Sequence, residues 1–214
     1  MNLLRRTLVL ALGLAPLAAL AQPRQPARGV DYTELNPGQP VEAQGKIEVL
    51  EFFWYGCVHC YTLEPLLEKW IPRLPADAQF RRVPAVLNPG WANEAAAFYA
   101  FEALGVLERL HRPFFDAIHR DRMKSRDATA LADWLQKNGM EVKKFDEAVK
   151  SFGVQSKVRR AAQLSASYRI DGTPALAVHG RYTVSADQAR TQAGMLATAE
   201  YLIGLARKGG PAAK

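Results

Sequence analysis

The chain of 214 residues contains two cysteines, which lie three positions apart at Cys57 and Cys60. They follow an apolar run rich in β-forming residues, 47–54, and open a helical pattern that continues to about Ile71. A junction between a strand and a helix places Cys57 at a helix N-terminus, where unpaired N–H groups and the helix dipole favour an anion. Such a position lowers the pKa of a thiol and makes its sulfur reactive. The residues therefore favour a redox-active pair.

The same C-x-x-C spacing also occurs in metal sites, haem attachment sites and structural disulfides. Structural zinc takes four ligands, and the nearby candidates are Cys57, Cys60 and His59. Haem attachment needs a histidine directly after the second cysteine, where this chain has Tyr61. A disulfide that closes so short a loop restricts the unfolded chain little. A zinc or copper site and an inert bridge stay open as alternatives, although we predict neither a metal nor a cofactor.

The composition is that of an ordinary folded protein, with 49% hydrophobic and 23% charged residues. A chain of this length buries an adequate core in one domain or two small ones. Lys and Arg number 28 against 21 Asp and Glu, which gives a net charge of +7 without a long run of like charges. This spread of charge argues against a nucleic-acid partner. The four histidines and two cysteines exclude multi-zinc modules.

Residues 1–21 have the features of a secretory signal peptide. Two arginines precede an apolar run, 8–17, and Ala19-Leu20-Ala21 supplies the small-x-small pattern that signal peptidase cleaves. We therefore predict cleavage before Gln22. The apolar run is too short to span a bilayer comfortably, so an uncleaved membrane anchor is the less favoured alternative. Export would bring the cysteine pair into an oxidising compartment.

The rest of the chain alternates strand and helix patterns around a long all-helical stretch. Residues 22–40 are rich in Pro, Gly and Gln and predict an extended lead-in. The predicted elements are strand 47–54, helix 57–71 with a kink at Pro65, strand 80–86, helices 92–104 and 107–118, a helix capped by Asp127 that ends before Gly139, helices 142–151 and 154–168, hairpin strands 175–179 and 181–184, and helix 186–205. This order predicts an α/β domain, 22–90 and 169–214, interrupted by an all-helical insertion, 91–168.

Three further segments accompany the predicted secretion signal: E-F-F at 51–53, C-V-H-C-Y at 57–61 and G-T-P at 172–174 before a strand. In these features the chain resembles the DsbA family of thioredoxin-fold periplasmic disulfide oxidants, over essentially all of its length after the signal. The resemblance implies a thioredoxin fold interrupted by the helical insertion. It also implies a periplasmic thiol:disulfide oxidoreductase that donates its Cys57–Cys60 disulfide to exported proteins during folding. The best-known members carry Pro where this chain has Val58, a difference that bears on the strength of oxidation.

The expected partners are unfolded or reduced exported proteins. A membrane quinone reductase of the DsbB type, implied by the resemblance alone, would reoxidise the protein. We expect the protein to be a monomer.

Each residue of the predicted site has a chemical role to test. Cys57 is the sulfur that a substrate thiolate attacks, and Cys60, one helical turn inward, is the shielded leaving sulfur. His59 lies in the first turn of the helix, where its N–H or positive charge can meet the Cys57 sulfur; a solvated histidine is the alternative. Glu51 lies in an otherwise apolar strand, where burial would raise its pKa and suit it to carry protons to or from Cys60. The resemblance supports that role, and the alternative is that Glu51 faces solvent, as Glu48 would.

Thr173, Pro174 and Val58 are the candidate substrate-binding residues. X-Pro bonds are cis in about 5–6% of folded cases, so frequency alone predicts a trans Thr173-Pro174 bond. The resemblance implies instead a cis proline beside the cysteines, where the backbone of Thr173 pairs with an extended substrate as an added strand does. Among nearby aromatic residues, we expect Tyr55 and Tyr61 to contact substrate at the surface. The remaining histidines are expected to be structural or surface residues: His111, His119 and His179.

Two other functions would use the same cysteines. A disulfide isomerase or reductase would be held reduced, but the isomerases of the family carry a dimerisation domain for which residues 22–44 are too short. A metal-binding or metallochaperone module would hold stoichiometric copper or zinc and show no thiol oxidase activity.

Overall fold

The computed structural model describes residues 24–209, so the predicted signal segment and its cleavage site lie outside the described residues. The strands are β1 (Thr33–Glu34), β2 (Ile47–Phe53), β3 (Ala78–Pro84), β4 (Ala175–Val178) and β5 (Tyr182–Ser185). The helices are α1 (Val58–Trp70), α2 (Ala92–Ala103), α3 (Leu107–His119), α4 (Ala128–Lys137), α5 (Val142–Lys150), α6 (Phe152–Ser167), α7 (Ala186–Ala189) and α8 (Gln192–Gly209). Short 3-10 turns occur at Ile71–Arg73 and Pro89–Trp91.

A five-stranded mixed sheet with the order β1-β5-β4-β2-β3 forms the centre of the fold. β2 pairs in parallel with β3 along its whole length and antiparallel with β4 on its other side. All seven residues of β2 are buried, as predicted for a strand covered on both faces. The strand that leads to the cysteines is therefore held on both sides.

The two faces of β2 contribute to two apolar clusters, because alternate side chains of a strand point to opposite faces. Ile47 and Val49 pack with side chains of α1 and α8. Leu50 and Phe52 pack with side chains of the helices between α2 and α6. The sheet thus lies between α1 and α8 on one side and the helical stretch on the other.

The predicted order of elements is confirmed, since α2 to α6 all lie between β3 and β4. Asp127 caps α4 as predicted: its carboxylate accepts hydrogen bonds from the N–H groups of Thr129 and Ala130. Pro65 lies inside α1. The division into domains at residues 91 and 168 stays a prediction.

Two elements differ from the sequence prediction. The lead-in contains β1, which pairs with β5 and whose Glu34 forms an ion pair with Arg181 at 3.0 Å. The single helix predicted for 186–205 is two helices, because Arg190 adopts a left-handed φ of 61° after α7. The hydroxyl of Thr191 then accepts a hydrogen bond from the N–H of Gly194, which caps the start of α8.

Among residues 24–209, no helix is long and apolar enough to cross a membrane.

Candidate active site

A tight turn between β2 and α1 positions the cysteines. Cys57 is the N-cap residue of α1, with an extended backbone (φ −88°, ψ 115°), and its N–H donates to the carbonyl of Trp54 at 2.9 Å. A Cβ atom at Gly56 would overlap the ring of Trp54, so this turn requires glycine. The Trp54 ring itself stacks on Trp91 at the start of α2, with ring centroids 4.2 Å apart. The loop that carries Cys57 is thereby packed against the helical stretch.

The two thiols lie in different environments. Cys57 is half-buried, and its pKa is lowered to about 5 by hydrogen bonds from the Cys60 thiol, the Thr173 side chain and the backbone N–H groups of Cys60 and His59. Cys60 is fully buried, and burial raises its pKa well above the ordinary value. Cys57 is therefore suited to be the stable thiolate and Cys60 the shielded thiol.

Thr173 and Pro174 lie directly beside Cys57. The Thr173-Pro174 bond is cis, as the resemblance implied, so the expectation of a trans bond from frequency alone is wrong. In the protonated state the Cys57 thiol donates to the carbonyl oxygen of Thr173 at 3.2 Å. The main chain before the cis proline thus reaches the reactive sulfur across 116 residues of sequence.

Glu51 is completely buried, so the alternative of a solvent-facing carboxylate is wrong. Its pKa is raised to about 8, first by burial and then by the negative charge of Glu64, while Arg82 opposes the rise. The Nε atom of Arg82 lies 3.2 Å from Oε2 of Glu51. The expectation that Glu48 faces solvent is also wrong, since Glu48 is buried and forms an ion pair with Arg81 at 3.4 Å.

A buried polar network extends from Glu51 to the helical stretch. Arg82 bonds to Glu64 of α1 at 2.9 Å, and Nε2 of His111 in α3 lies 3.2 Å from the other oxygen of Glu64. Nδ1 of His111 lies 2.7 Å from the hydroxyl of Tyr55. Sequence reasoning missed Glu64 and Arg82, although Glu64 falls next to Leu63 on the apolar side of α1, which was a usable signal. His111 is buried, in agreement with a structural role.

Tyr55 is 1% exposed, so the prediction that it contacts substrate at the surface is wrong. Its ring packs against Phe114 and Phe115 of α3, which the sequence could not place next to it. Tyr61 is partly exposed and stacks on His119, with ring centroids 4.9 Å apart. His179 lies in the turn between β4 and β5 with a left-handed φ of 53°.

Val58 and His59 are exposed beside Cys57, and Val58 is 54% exposed. His59 contributes its backbone N–H to the Cys57 sulfur, and its carbonyl accepts a hydrogen bond from Gln192 at 2.8 Å. The role predicted for its imidazole stays a prediction. An open cleft of about 490 Å³ adjoins this surface, and its lining includes His59, Thr173, Pro174, Asp187, Arg190 and Gln192. Within residues 24–209, no three His, Cys, Asp or Glu side chains are grouped to hold a metal ion.

A buried strand that leads to a C-x-x-C pair at the start of a helix, facing a cis proline, defines a thiol:disulfide oxidoreductase of the thioredoxin fold. Comparison with known proteins agrees with this class. The DSBA-like thioredoxin domain family matches residues 74–197. The thiol:disulfide interchange protein DsbA of Burkholderia cepacia is 39% identical, over 95% of this chain and 96% of its own. The DsbA of Pseudomonas aeruginosa strain PAO1 is 36% identical, over 92% of this chain and 95% of its own.

Solved structures give the same result. The crystal structure of Pseudomonas aeruginosa DsbA matches with a TM-score of 0.80 at 36% identity, covering 85% of this chain and 94% of that one. An oxidoreductase of Neisseria meningitidis matches with a TM-score of 0.74 at 28% identity, covering 86% of this chain and 95% of that one. The chain belongs to the DsbA family. It is a disulfide oxidoreductase, and its thioredoxin fold with a helical insertion is confirmed, whereas a metal-binding module is not favoured.

Proposed function

We propose that Cys57 and Cys60 form the disulfide that this oxidoreductase donates to reduced proteins. The observation that carries the proposal is the contrast between the two thiols, since the pKa of Cys57 is lowered to about 5 and that of Cys60 is raised. Stabilising the Cys57 thiolate stabilises the reduced protein, and this makes the disulfide a stronger oxidant.

The transfer takes two steps. A substrate thiolate attacks Cys57, so that a bond forms between the two sulfurs, the Cys57–Cys60 bond breaks, and Cys60 leaves with the electron pair and takes up a proton. A second substrate thiolate then attacks the substrate sulfur of this mixed disulfide, and Cys57 leaves as a stable thiolate. The substrate loses two electrons and gains a disulfide, while the enzyme gains the two electrons and becomes a dithiol.

Glu51 is the proposed proton donor to Cys60 in the first step. Burial raises the pKa of Glu51 to about 8, so its carboxyl is protonated at neutral pH. The charges of Glu51 and Cys60 interact across the buried region, since the presence of Glu51 contributes to the raised pKa of Cys60. A protonated carboxyl there neutralises the leaving sulfur, which otherwise carries a buried charge.

Substrate would lie along Thr173, Pro174 and Val58. The carbonyl of Thr173 already reaches Cys57, so an extended peptide joined to that sulfur would run beside the Thr173 main chain and pair with it as an added strand. Val58 offers an exposed apolar surface next to the attacked sulfur, which suits unfolded substrates.

The cellular setting is also part of the proposal. We propose that the protein is exported by the segment 1–21, acts as a monomer in the periplasm on exported proteins, and is reoxidised by a membrane quinone reductase of the DsbB type. We expect the exported form to begin at Gln22. Mass spectrometry of the protein recovered from the periplasm tests this, and an intact N-terminus or recovery in the membrane pellet would contradict it.

The redox potential of the cysteine pair, measured against glutathione, tests the oxidant role. Thioredoxin, with a thiol pKa of about 7, has a potential of about −270 mV, and each unit of further pKa depression adds roughly 30 mV. A Cys57 pKa of about 5 therefore predicts a potential of about −210 mV. We also expect Cys60→Ser to trap a mixed disulfide through Cys57, and Cys57→Ser to trap none through Cys60. A potential near that of thioredoxin, or trapping through Cys60, would contradict the assignment.

A further inference from the structure

The buried network around Glu51 joins four elements by side chains alone. Glu51 belongs to β2, Arg82 to β3, Glu64 to α1 and His111 to α3, with successive distances of 3.2, 2.9 and 3.2 Å. The side chains of both glutamates are at most 1% exposed, and that of His111 is 9% exposed. The helical insertion thus contacts the charged groups beneath the cysteines through His111.

Arg82 faces two carboxylates that are not held alike. Glu64 receives hydrogen bonds from Arg82 on both oxygens, at 3.3 and 2.9 Å, and one of these oxygens also contacts His111. Within residues 24–209, neither oxygen of Glu51 has a hydrogen-bond partner, although Arg82 lies within ion-pair distance. Because donors stabilise a buried carboxylate as the anion, the negative charge settles on Glu64. Glu51 is then left as the neutral acid.

The contacts of His111 fit a neutral ring that donates to Glu64. Its Nε2 faces the carboxylate of Glu64 and its Nδ1 faces the hydroxyl of Tyr55, so a proton on Nε2 satisfies both contacts at once. Burial lowers the pKa of His111, which also favours the neutral ring, against the charge of Glu64. The other charged groups that face His111 are Arg82 and Glu108.

We propose that His111 is a positioning residue of the redox site. It holds Glu64 ionised and bonded to Arg82, and so keeps Arg82 from stabilising the ionised form of Glu51. The proposal rests on the proposed role of Glu51 as proton donor to Cys60. Without the His111 donor, Glu64 is a weaker partner for Arg82. Arg82 then turns towards Glu51, which loses its proton more readily and no longer supplies one to the leaving sulfur.

The test is the pH dependence of the first exchange step. The oxidised protein is mixed with dithiothreitol in a stopped-flow instrument, and each rate constant is divided by the thiolate fraction of the reductant. In the parent we expect the corrected rate constant to fall with rising pH, with the midpoint of the fall at about pH 8, the pKa of Glu51. We call this fall the falling limb. His111→Leu should move this limb to lower pH by about one unit, equivalent to a tenfold slower step at high pH.

Two variants separate positioning from general structural damage. His111→Gln keeps a donor for Glu64 and an acceptor for Tyr55, and should restore the parental limb. His119→Leu is the matched control, because His119 lies on the same helix and bonds to the Tyr55 carbonyl at 2.8 Å without reaching Glu64; its limb should stay in place. If His111→Leu does not fold, Tyr55→Phe takes its place and should shift the limb in the same direction.

The Glu51→Gln background distinguishes the two proposals. We expect no falling limb in Glu51→Gln and no further effect of His111→Leu when the two are combined. A limb that persists in Glu51→Gln would overturn the proton-donor role and this proposal with it. A limb that disappears in Glu51→Gln but does not move in His111→Leu would overturn the role of His111 alone. Nitrogen NMR of the parent should show the Nε2–H tautomer, and an Nδ1–H tautomer would contradict the proposal directly.

Discussion

Cys57 receives donors of two kinds, and they respond differently to substitution. The thiol of Cys60 and the side chain of Thr173 belong to particular residues, whereas the N–H groups of Cys60 and His59 belong to the first turn of α1. Backbone donors survive a change of side chain at position 59. A mutation there therefore measures what the imidazole adds, since the helix turn remains.

Replacing His59 by serine tests the role predicted for the imidazole. A charge-assisted hydrogen bond to the thiolate exists only in the reduced state. We expect His59→Ser to raise the pKa of Cys57 by about one unit and to lower the redox potential by roughly 30 mV. Titration of the thiolate ultraviolet absorbance measures the first change, and glutathione equilibration the second. Val58→Pro is the companion variant, because it alters the turn and leaves the imidazole in place. A parental pKa in His59→Ser would show that the backbone donors, Thr173 and Cys60 suffice.

Glu51 also affects stability. Its pKa is about 8 in the folded protein against an ordinary value of 4.5, so between these values the folded state binds more protons than the unfolded state. The stability that the buried neutral acid provides is present below pH 4.5 and is lost as pH rises towards 8. Glu51→Gln should remove this loss.

Urea unfolding of the oxidised parent and Glu51→Gln at several pH values between 5 and 8 measures the difference. As pH rises, we expect the free energy of unfolding of the variant to increase relative to that of the parent by up to about 1.4 kcal/mol per pH unit. Parallel stability curves for the two proteins over this range would mean that Glu51 titrates normally in the fold.

At the level of elements, the helical stretch depends on local caps as well as on packing. α4 has a single buried residue, Leu135, so its first turn depends on the two hydrogen bonds that Asp127 accepts. We expect Asp127→Ala to lower the free energy of unfolding by about 1 kcal/mol. Asp133→Ala, at an exposed position of the same helix, should change it by less than about 0.5 kcal/mol. Equal losses in the two variants would show that helix charge, and not the cap, is what matters.

Local patterns were enough to predict most elements. The apolar run of β2, the cap at Asp127 and the predicted hairpin of 175–179 with 181–184 are all signals that act over a few residues. β1 was missed because a strand of two residues is too short to show an alternation of apolar and polar residues. Its pairing partners, Tyr182 and Thr183, also lie far along the chain. The break at Arg190 was missed because an arginine in the left-handed region has no signature in the sequence.

The site was predictable only in part, for the same reason. The cysteine pair shows in its spacing, and Glu51 shows as a charge in an apolar strand. The other members of its buried network come from three other elements, and His111 reaches Glu64 only because α3 packs on α1. No local sequence pattern predicts the contact between His111 and Glu64. Tyr55 was wrongly placed at the surface because the aromatic residues that cover it belong to α3.

At the scale of the whole molecule, the helical stretch and the sheet share one apolar cluster. Phe53 of β2 and Phe98 of α2 are both buried and lie 5.3 Å apart between ring centroids. We therefore expect the described part of the chain to unfold in one cooperative transition. Phe98→Ala should cost about 3–5 kcal/mol.

Phe152→Ala is the control for this substitution, because Phe152 lies in the same helical stretch but is 84% exposed. Its cost should stay below about 0.5 kcal/mol. Unfolding is followed by fluorescence in two proteins that each retain one tryptophan, Trp134 in α4 or Trp70 in α1. Separate midpoints for the two probes would show that the helices unfold independently of the sheet.

The sheet order also has a consequence for how the protein is made. β1 and β2 are synthesised first, but β5 and β4 lie between them in the sheet, and Thr173 meets Cys57 from 116 residues downstream. A chain threaded through a channel amino terminus first presents both thiols on the far side before Thr173, β4 and β5 have arrived. During that interval the cysteines are as accessible as those of any other exported protein that has not yet folded. If the protein is exported as proposed, the closing of its sheet competes with the reaction of its exposed thiols in the compartment that it enters.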